Sequence, residues 1–450
     1  MAIETVVLIP GICGSVLKNG DETIWPGSPW NVAFGSYPDA YVDLLANSNQ
    51  LKATDVLRSV PLKVLGVTWH HFDGYQRALD ALDGMGFKEA GGTLIPSPYD
   101  WRQDVRRSAQ ALKDRLGQDD LAGRTIALVA HSMGGLVARY MLEKLGSPDS
   151  VRIALCALVA VPHLGAPVVL QNILGLRPEI FLSGRQCKEV LRNSAYPSAY
   201  QLLPRLGVPA LLEVAPSIGF DIRDPYSAVV GQRLGLIGGS VNAARLLGAD
   251  LDYIAPGFKP PCRYVAIVGN AQKTTTANYI QAPSARAVEE PTAGDGTVPL
   301  WSAAPPGLPV RYVAATHGGM FGDSDAVAML QAVLRPNLPG GRTFNLEPGV
   351  APSVLSVQTV NASVEVGKSF TIALVADRPT AEVDAVLEVE RLFETRQDSQ
   401  KVPLRYTGGP LRSLSIDLNA PAEPAVLRFR VRTTGAQLPG SEATVLVLRQ

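Results

Sequence analysis

Six consecutive residues, Ala130-His131-Ser132-Met133-Gly134-Gly135, have the types needed to present a nucleophilic hydroxyl. They follow a short apolar run, 125–130, and lead into apolar residues at helical spacing: Leu136, Val137, Tyr140, Met141 and Leu145. A serine on a sharp strand-to-helix turn projects its Oγ, and small flanking residues let the backbones pass closely. Position one is Ala130 where glycine is usual, a small departure. The bland alternative is a buried serine that caps an ordinary helix.

A seryl hydroxyl needs a base to take its proton, and the base needs a carboxylate to fix its tautomer. The chain has five histidines. His131 abuts the serine and is expected to point away from it. His70 and His71 precede Ser132, the wrong order for such a site, and His163 lies in a Pro-His-Leu-Gly-Ala-Pro loop just after a strand. His317, in Ala315-Thr316-His317-Gly318-Gly319, remains as the base. For the acid, Asp295 in Gly294-Asp295-Gly296-Thr297-Val298-Pro299 lies between serine and histidine, on a turn its glycines permit. Asp252 and Asp323 are weaker candidates, and a turn-forming or cation-binding Asp295 is the alternative. Backbone donors for an oxyanion are expected at Met133, after the nucleophile, and at Ile12 in Pro10-Gly11-Ile12-Cys13-Gly14-Ser15. Cys13 itself has neither a base nor a helix start beside it, which argues against a reactive thiol.

Positioning such a triad requires a scaffold of alternating strands and helices. Strands are expected at 6–10, 94–98, 125–130, 152–161, 263–269 and 310–314, with helices at 73–85 and 105–116. That alternation predicts a mostly parallel, doubly wound sheet, an α/β domain over residues 1–335. Residues 20–65 and 171–261 break the rhythm and are expected to be a lid and a cap. Residues 336–352 are rich in Pro and Gly and read as a linker. Beyond them, β-branched runs at 354–360, 363–366, 370–376, 385–391, 414–418, 426–432 and 443–448 predict an antiparallel β-sandwich over 353–450.

Charge balance removes some classes of function. Lys plus Arg and Asp plus Glu are 41 each, so no net field draws the chain to nucleic acid. The four cysteines, Cys13, Cys156, Cys187 and Cys262, form no CxxC pair and read as reduced structural thiols. Neither a metal nor another cofactor is expected. The N-terminus lacks a basic region before its apolar run, which gives a cytoplasmic expectation.

Taken together, these stretches resemble the lecithin:cholesterol acyltransferase-like lipases and phospholipases of the α/β-hydrolase fold. The resemblance is carried by residues 9–15, Gly74-Tyr75, Pro98-Tyr99-Asp100-Trp101-Arg102, residues 130–135, 162–167, 294–299 and Thr316-His317. It implies a lid over an acyl pocket near Trp25 and Trp30, and a cap in the long insertion. No cysteine pair matches the lid disulfide of the secreted animal members. The β region after the linker lies outside the resemblance, and Asp100 with Arg102 reads as a structural ion pair.

The leading expectation is cleavage of fatty-acyl esters of lipids, phospholipid or glyceride, through a seryl acyl-enzyme. An alternative is transfer of the acyl group to an alcohol or sterol, and another is an inactive hydrolase scaffold used for binding. A lipid substrate, a membrane surface and a protein held by the C-terminal β domain are the partners considered. If that domain is a docking surface, deleting residues 353–450 should spare hydrolysis of soluble esters.

Overall fold

Thr5–Ile9 (β1) and Thr125–His131 (β3) are buried along their whole length, the pattern of strands covered on both faces. With Leu94–Pro96 (β2), Arg152–Val159 (β4), Arg263–Gly269 (β5) and Val310–Val313 (β6) they form one sheet in the order β6-β5-β4-β3-β1-β2. Every pairing in it is parallel. The fold is that of an α/β-hydrolase. This computed structural model describes residues 2–28, 37–64, 67–72, 74–215, 219–251, 258–304, 307–335, 355–433 and 442–449.

Side chains alternate across the sheet and build two cores. Val7 and Ile9 join Leu112 and Leu116 of helix Val105–Leu116 (α2) and Leu136 and Val137 of helix Met133–Tyr140 (α3). Val6 and Leu8 face the other way, against Leu79 and Leu82 of helix Gln76–Gly84 (α1) and Leu330 and Val333 of helix Ser324–Leu334 (α4). The chain leaves β1 toward β2 on one side and resumes at β3 on the other. Loops after β1 and β3 therefore diverge, opening the crevice in which sheets of this kind hold ligands.

The Pro-Tyr-Asp-Trp-Arg run ties the region before β2 to that crevice. Tyr99 Oη donates to the Pro10 carbonyl at 2.9 Å, and the Tyr99 N–H donates to Ser15 Oγ at 3.1 Å. Arg102 is almost fully buried. It pairs with Asp100 at 2.7 Å and donates to the carbonyls of Leu45 (2.8 Å) and Ser48 (3.0 Å). Those carbonyls close the C-terminal end of helix Asp39–Asn47, so the ion pair is structural, as its sequence suggests. Arg102→Ala is expected to lower the unfolding free energy by about 3 kcal/mol, since it strands Asp100 and the helix carbonyls. Denaturant titration checks this, and a loss below about 1 kcal/mol would refute the anchoring role.

Residues 20–65 contain more regular structure than their sequence shows. Strands Ser15–Asn19, Glu22–Trp25 and Lys52–Val56 form a small antiparallel sheet beside helix Asp39–Asn47. Within 171–261 lie helices Gly184–Val190, Ala228–Leu234 and Gly238–Asp250, with strands Leu211–Ala215 and Gly219–Ile222. These two strands join a hairpin, Gln272–Gln281 with Ser284–Gly294, that the sequence reading missed. No helix among the described residues is long and apolar enough to cross a membrane.

The C-terminal part contains Leu355–Thr359 (β7), Ser363–Glu365 (β8), Ser369–Leu392 (β9), Gln397–Asn419 (β10), Ala425–Thr433 (β11) and Glu442–Leu448 (β12). They form a separate sheet in the order β7-β9-β11-β12-β8, with β10 paired to β9. The sandwich expectation holds for strand content and for an apolar inner face that includes Phe370, Leu387, Phe429 and Val447. The architecture is a half-barrel: one sheet curled on itself, mixed because β8 and β12 run parallel. The linker, 336–352, lies outside the described residues.

Candidate active site

Ser132 sits at the junction of β3 and α3 with φ 53° and ψ −129°, a conformation that an L-residue adopts only under constraint. Its N–H is held by the Val159 carbonyl at 2.9 Å. A Cβ on Gly134 would lie 2.3 Å from the Pro10 carbonyl oxygen, and one on Gly135 would lie 2.1 Å from Val161 Cγ2. Those two glycines are therefore required by the approach of β1 and β4 to the turn. Met133 opens α3, so its N–H has no acceptor within the helix. The loop after β1 lies against the serine, since a Cβ on Gly11 would come 2.8 Å from Ser132 Cβ. Ile12 follows Gly11 in that loop, and Cys13 takes φ 59° at the turn. Burial pushes the Cys13 thiol well above its usual pKa, leaving it unsuited to attack. All four cysteines are free.

His317 starts a short 3-10 turn, His317–Gly322, after β6. Its Nε2 is 3.0 Å from Ser132 Oγ, and its Nδ1 is 2.8 Å from Asp295 Oδ2. Asp295 is 1% exposed, and its Oδ1 accepts the N–H groups of Thr297 (2.9 Å) and Val298 (2.7 Å). The His317 N–H in turn donates to the Asp295 carbonyl at 2.8 Å. Burial alone would lower the imidazole pKa, but attraction and a hydrogen bond to Asp295, with a further pull from Glu179, leave it above its ordinary value.

The other histidines separate by environment. His163 is fully buried, beside the Arg139 and Arg205 guanidiniums, and burial drives its pKa down. His131 does not simply turn away: its ring centroid lies 4.9 Å from that of His317. Gly11 N–H donates to Tyr75 Oη at 2.6 Å, so the Tyr75 hydroxyl proton goes to His131 Nδ1, 2.7 Å away. His131 Nε2 then carries the ring proton and donates to the His317 carbonyl at 3.2 Å. Burial, and repulsion from His317, hold the His131 pKa at about 3, so this tautomer stays neutral. One chain of hydrogen bonds thus joins the loop after β1 to the loop of the base. Tyr75 stands out in the sequence only through the Gly-Tyr pair of the resemblance.

Ser132 and His317 line a cavity of about 560 Å³. One side is apolar, including Val168, Val169, Leu182, Val190 and Leu202 from the 166–202 region. Trp25 does not line it. Trp25 is fully buried against Trp101 and donates its indole N–H to the Cys13 carbonyl at 2.8 Å, so Trp101 faces the cavity in its place. Trp30 lies outside the described residues, as does Asp252. Asp323 caps α4, accepting the N–H groups of Asp325 and Ala326. Glu179 also faces the cavity, its pKa raised by burial although Arg177 pulls the other way. The lining also includes Val357, Gln358, Val360 and Ala443, from the C-terminal domain. Among the described residues, no His, Cys, Asp and Glu side chains are grouped to hold a metal.

Residues 52–211 match the lecithin:cholesterol acyltransferase family. No curated protein matches the chain in sequence. Among solved structures, RedJ with a PEG molecule bound in its active site is 18% identical, with 58% of this chain and 84% of that one covered, at a TM-score of 0.25. Phospholipase PlaB from Legionella pneumophila is 11% identical, with 99% and 92% covered, at a TM-score of 0.27. Over residues 52–211, the stretch that carries the serine turn and Pro98–Arg102, this α/β-hydrolase chain is similar to the lecithin:cholesterol acyltransferase family.

Proposed function

We propose that the chain is a serine hydrolase that cleaves fatty-acyl esters of lipids, phospholipid or glyceride. The observation that carries this reading is the Ser132–His317–Asp295 hydrogen-bond chain at 3.0 and 2.8 Å, opening on a cavity with one apolar wall. The family similarity supports the coarser statement, acyl-ester chemistry on lipids by hydrolysis or by transfer.

Asp295 accepts from His317 Nδ1–H, which leaves the Nε2 lone pair facing Ser132 Oγ. As Oγ attacks the ester carbonyl, its proton passes to Nε2, and the developing oxyanion is held by the N–H groups of Ile12 and Met133. His317 then protonates the departing alcohol, leaving an acyl group on Ser132. Water repeats the sequence in reverse order and releases the fatty acid. The apolar wall receives the acyl chain.

Because His317 must be neutral to act as a base, activity should fall on the acid side. The midpoint in kcat/KM should lie above pH 6.5, the ordinary histidine value, because Asp295 and Glu179 favour the imidazolium. A pH profile with a soluble ester checks this, and a midpoint below 6 would contradict it.

Product analysis on phospholipid vesicles containing a sterol tests the function. Fatty acid or lysolipid released by the wild type but not by Ser132→Ala supports a lipid hydrolase. Steryl ester in the products would make the protein an acyltransferase. Unchanged lipids, soluble esters and labelling phosphonates together would overturn the reading.

A further inference from the structure

The C-terminal half-barrel meets the hydrolase domain at the candidate active site. Gln358, in β7, is 8% exposed, and its Oε1 accepts the N–H of Thr316, the residue before His317, at 2.7 Å. Thr316 itself is 1% exposed, so water cannot replace that acceptor without opening the interface. The fit is close: a Cβ on Gly319 would lie 2.5 Å from the same Oε1. Just beyond β7, Val360 covers the acid loop, where a Cβ on Gly296 would lie 2.7 Å from Val360 Cγ1. A third tie holds the end of β6, where Gln272 Nε2 donates to the Ala314 carbonyl at 2.6 Å and to Ser413 Oγ of β10 at 3.2 Å.

The base loop thus has two backbone anchors of different origin. The His317 N–H is held from within the hydrolase domain by Asp295, and the preceding N–H is held from outside it by Gln358. We propose that Gln358 is a positioning residue for His317, and that the half-barrel is a structural wall of the active site, necessary for turnover of soluble and lipid esters alike. This rests on the serine-hydrolase reading for its kinetic consequence, while the anchoring itself does not. It replaces the expectation that deleting residues 353–450 leaves soluble-ester hydrolysis intact.

The test compares full-length Gln358→Leu, Gln358→Glu and Arg412→Ala with the wild type. Leucine fills similar space without an acceptor, and glutamate keeps an acceptor at the same reach. Arg412→Ala removes an ion pair to Asp325, which joins the same two domains through a different pair of residues. Two quantities are read: hydrogen exchange of the Thr316 amide, and kcat and KM on a short-chain soluble ester.

In Gln358→Leu, exchange at Thr316 should accelerate at least about 10-fold, and kcat should fall about 10²-fold with KM little changed, the size expected for a misplaced catalytic group. Gln358→Glu should restore slow exchange and most of kcat, with the acid limb of its pH profile moved upward by the added carboxylate. Arg412→Ala should leave both quantities near wild type. If Gln358→Leu is not recovered folded, Gln358→Asn, which retracts the amide by one methylene, should give the same pattern at smaller amplitude. Unchanged Thr316 exchange in Gln358→Leu overturns the proposal, as does an equal kcat loss in Arg412→Ala. A wild type inert on every ester counts against the hydrolase reading, and the exchange measurement then decides the anchoring alone.

Discussion

His317→Ala is expected to lower kcat on any accepted ester by about 10⁶-fold, Ser132→Ala by a similar factor, and the double variant by no more than either. The reason is that nucleophile and base act as one unit: without the base, Oγ keeps its proton, and without Oγ, the base has nothing to activate. His131 cannot stand in, although its ring lies 4.9 Å from that of His317. Both its nitrogens are engaged, Nδ1 by Tyr75 and Nε2 by the His317 carbonyl, and a pKa of about 3 makes it a poor base. Turnover of one soluble ester by the three variants measures this. A double variant far slower than both singles would mean that the two residues act independently, and the unit would be wrong.

Asp295→Asn should cost about 10⁴-fold in kcat while leaving the fold intact. The carboxamide oxygen can keep the two backbone donors, Thr297 and Val298, that now bind Oδ1. Its NH₂ then faces His317 Nδ1, where Oδ2 stands in the native protein. Two donors cannot share that contact, so Nδ1 must become the acceptor and the ring proton moves to Nε2. An Nε2–H group cannot take the serine proton. The check is kcat measured well above the acid limb, together with a melting curve. A loss below about 10²-fold with an unchanged melting temperature would show that tautomer control is not what Asp295 contributes.

The parts of this architecture that repeat a periodic rule were legible in the sequence. All six strands of the parallel sheet lie within the expected runs or one residue beyond them, because strands buried on both faces are apolar runs bounded by turn residues. Ser132, Asp295 and His317 stand out in the sequence by local turn chemistry and chain order, and the structure brings the three side chains together. Trp25 was misplaced because a tryptophan in an irregular stretch reads equally as a pocket wall and as a plug beneath it. In the C-terminal domain, the runs 370–376 and 385–391 read as two strands, whereas β9 is continuous through Pro379 between them, with its register shifted nearby. Most of β10 escapes the reading because Pro403 and the Gly408-Gly409-Pro410 run interrupt a short alternation at Val402, Leu404 and Tyr406, in an edge strand with much of its length exposed. Gln358 could not be found at all. A lone glutamine in a strand has no periodic signature, and its partner is 42 residues earlier on another domain.

The backbone of Ser132 has a consequence for how variants of this protein should be ranked. A residue at φ 53° and ψ −129° resists its own conformation by roughly 1–3 kcal/mol, and glycine would not. Selection for thermal tolerance alone would therefore favour removing the hydroxyl that the proposed mechanism uses as its nucleophile. Melting temperature and catalytic competence point in opposite directions at this position, so a library sorted only for robustness would enrich well-folded, silent proteins.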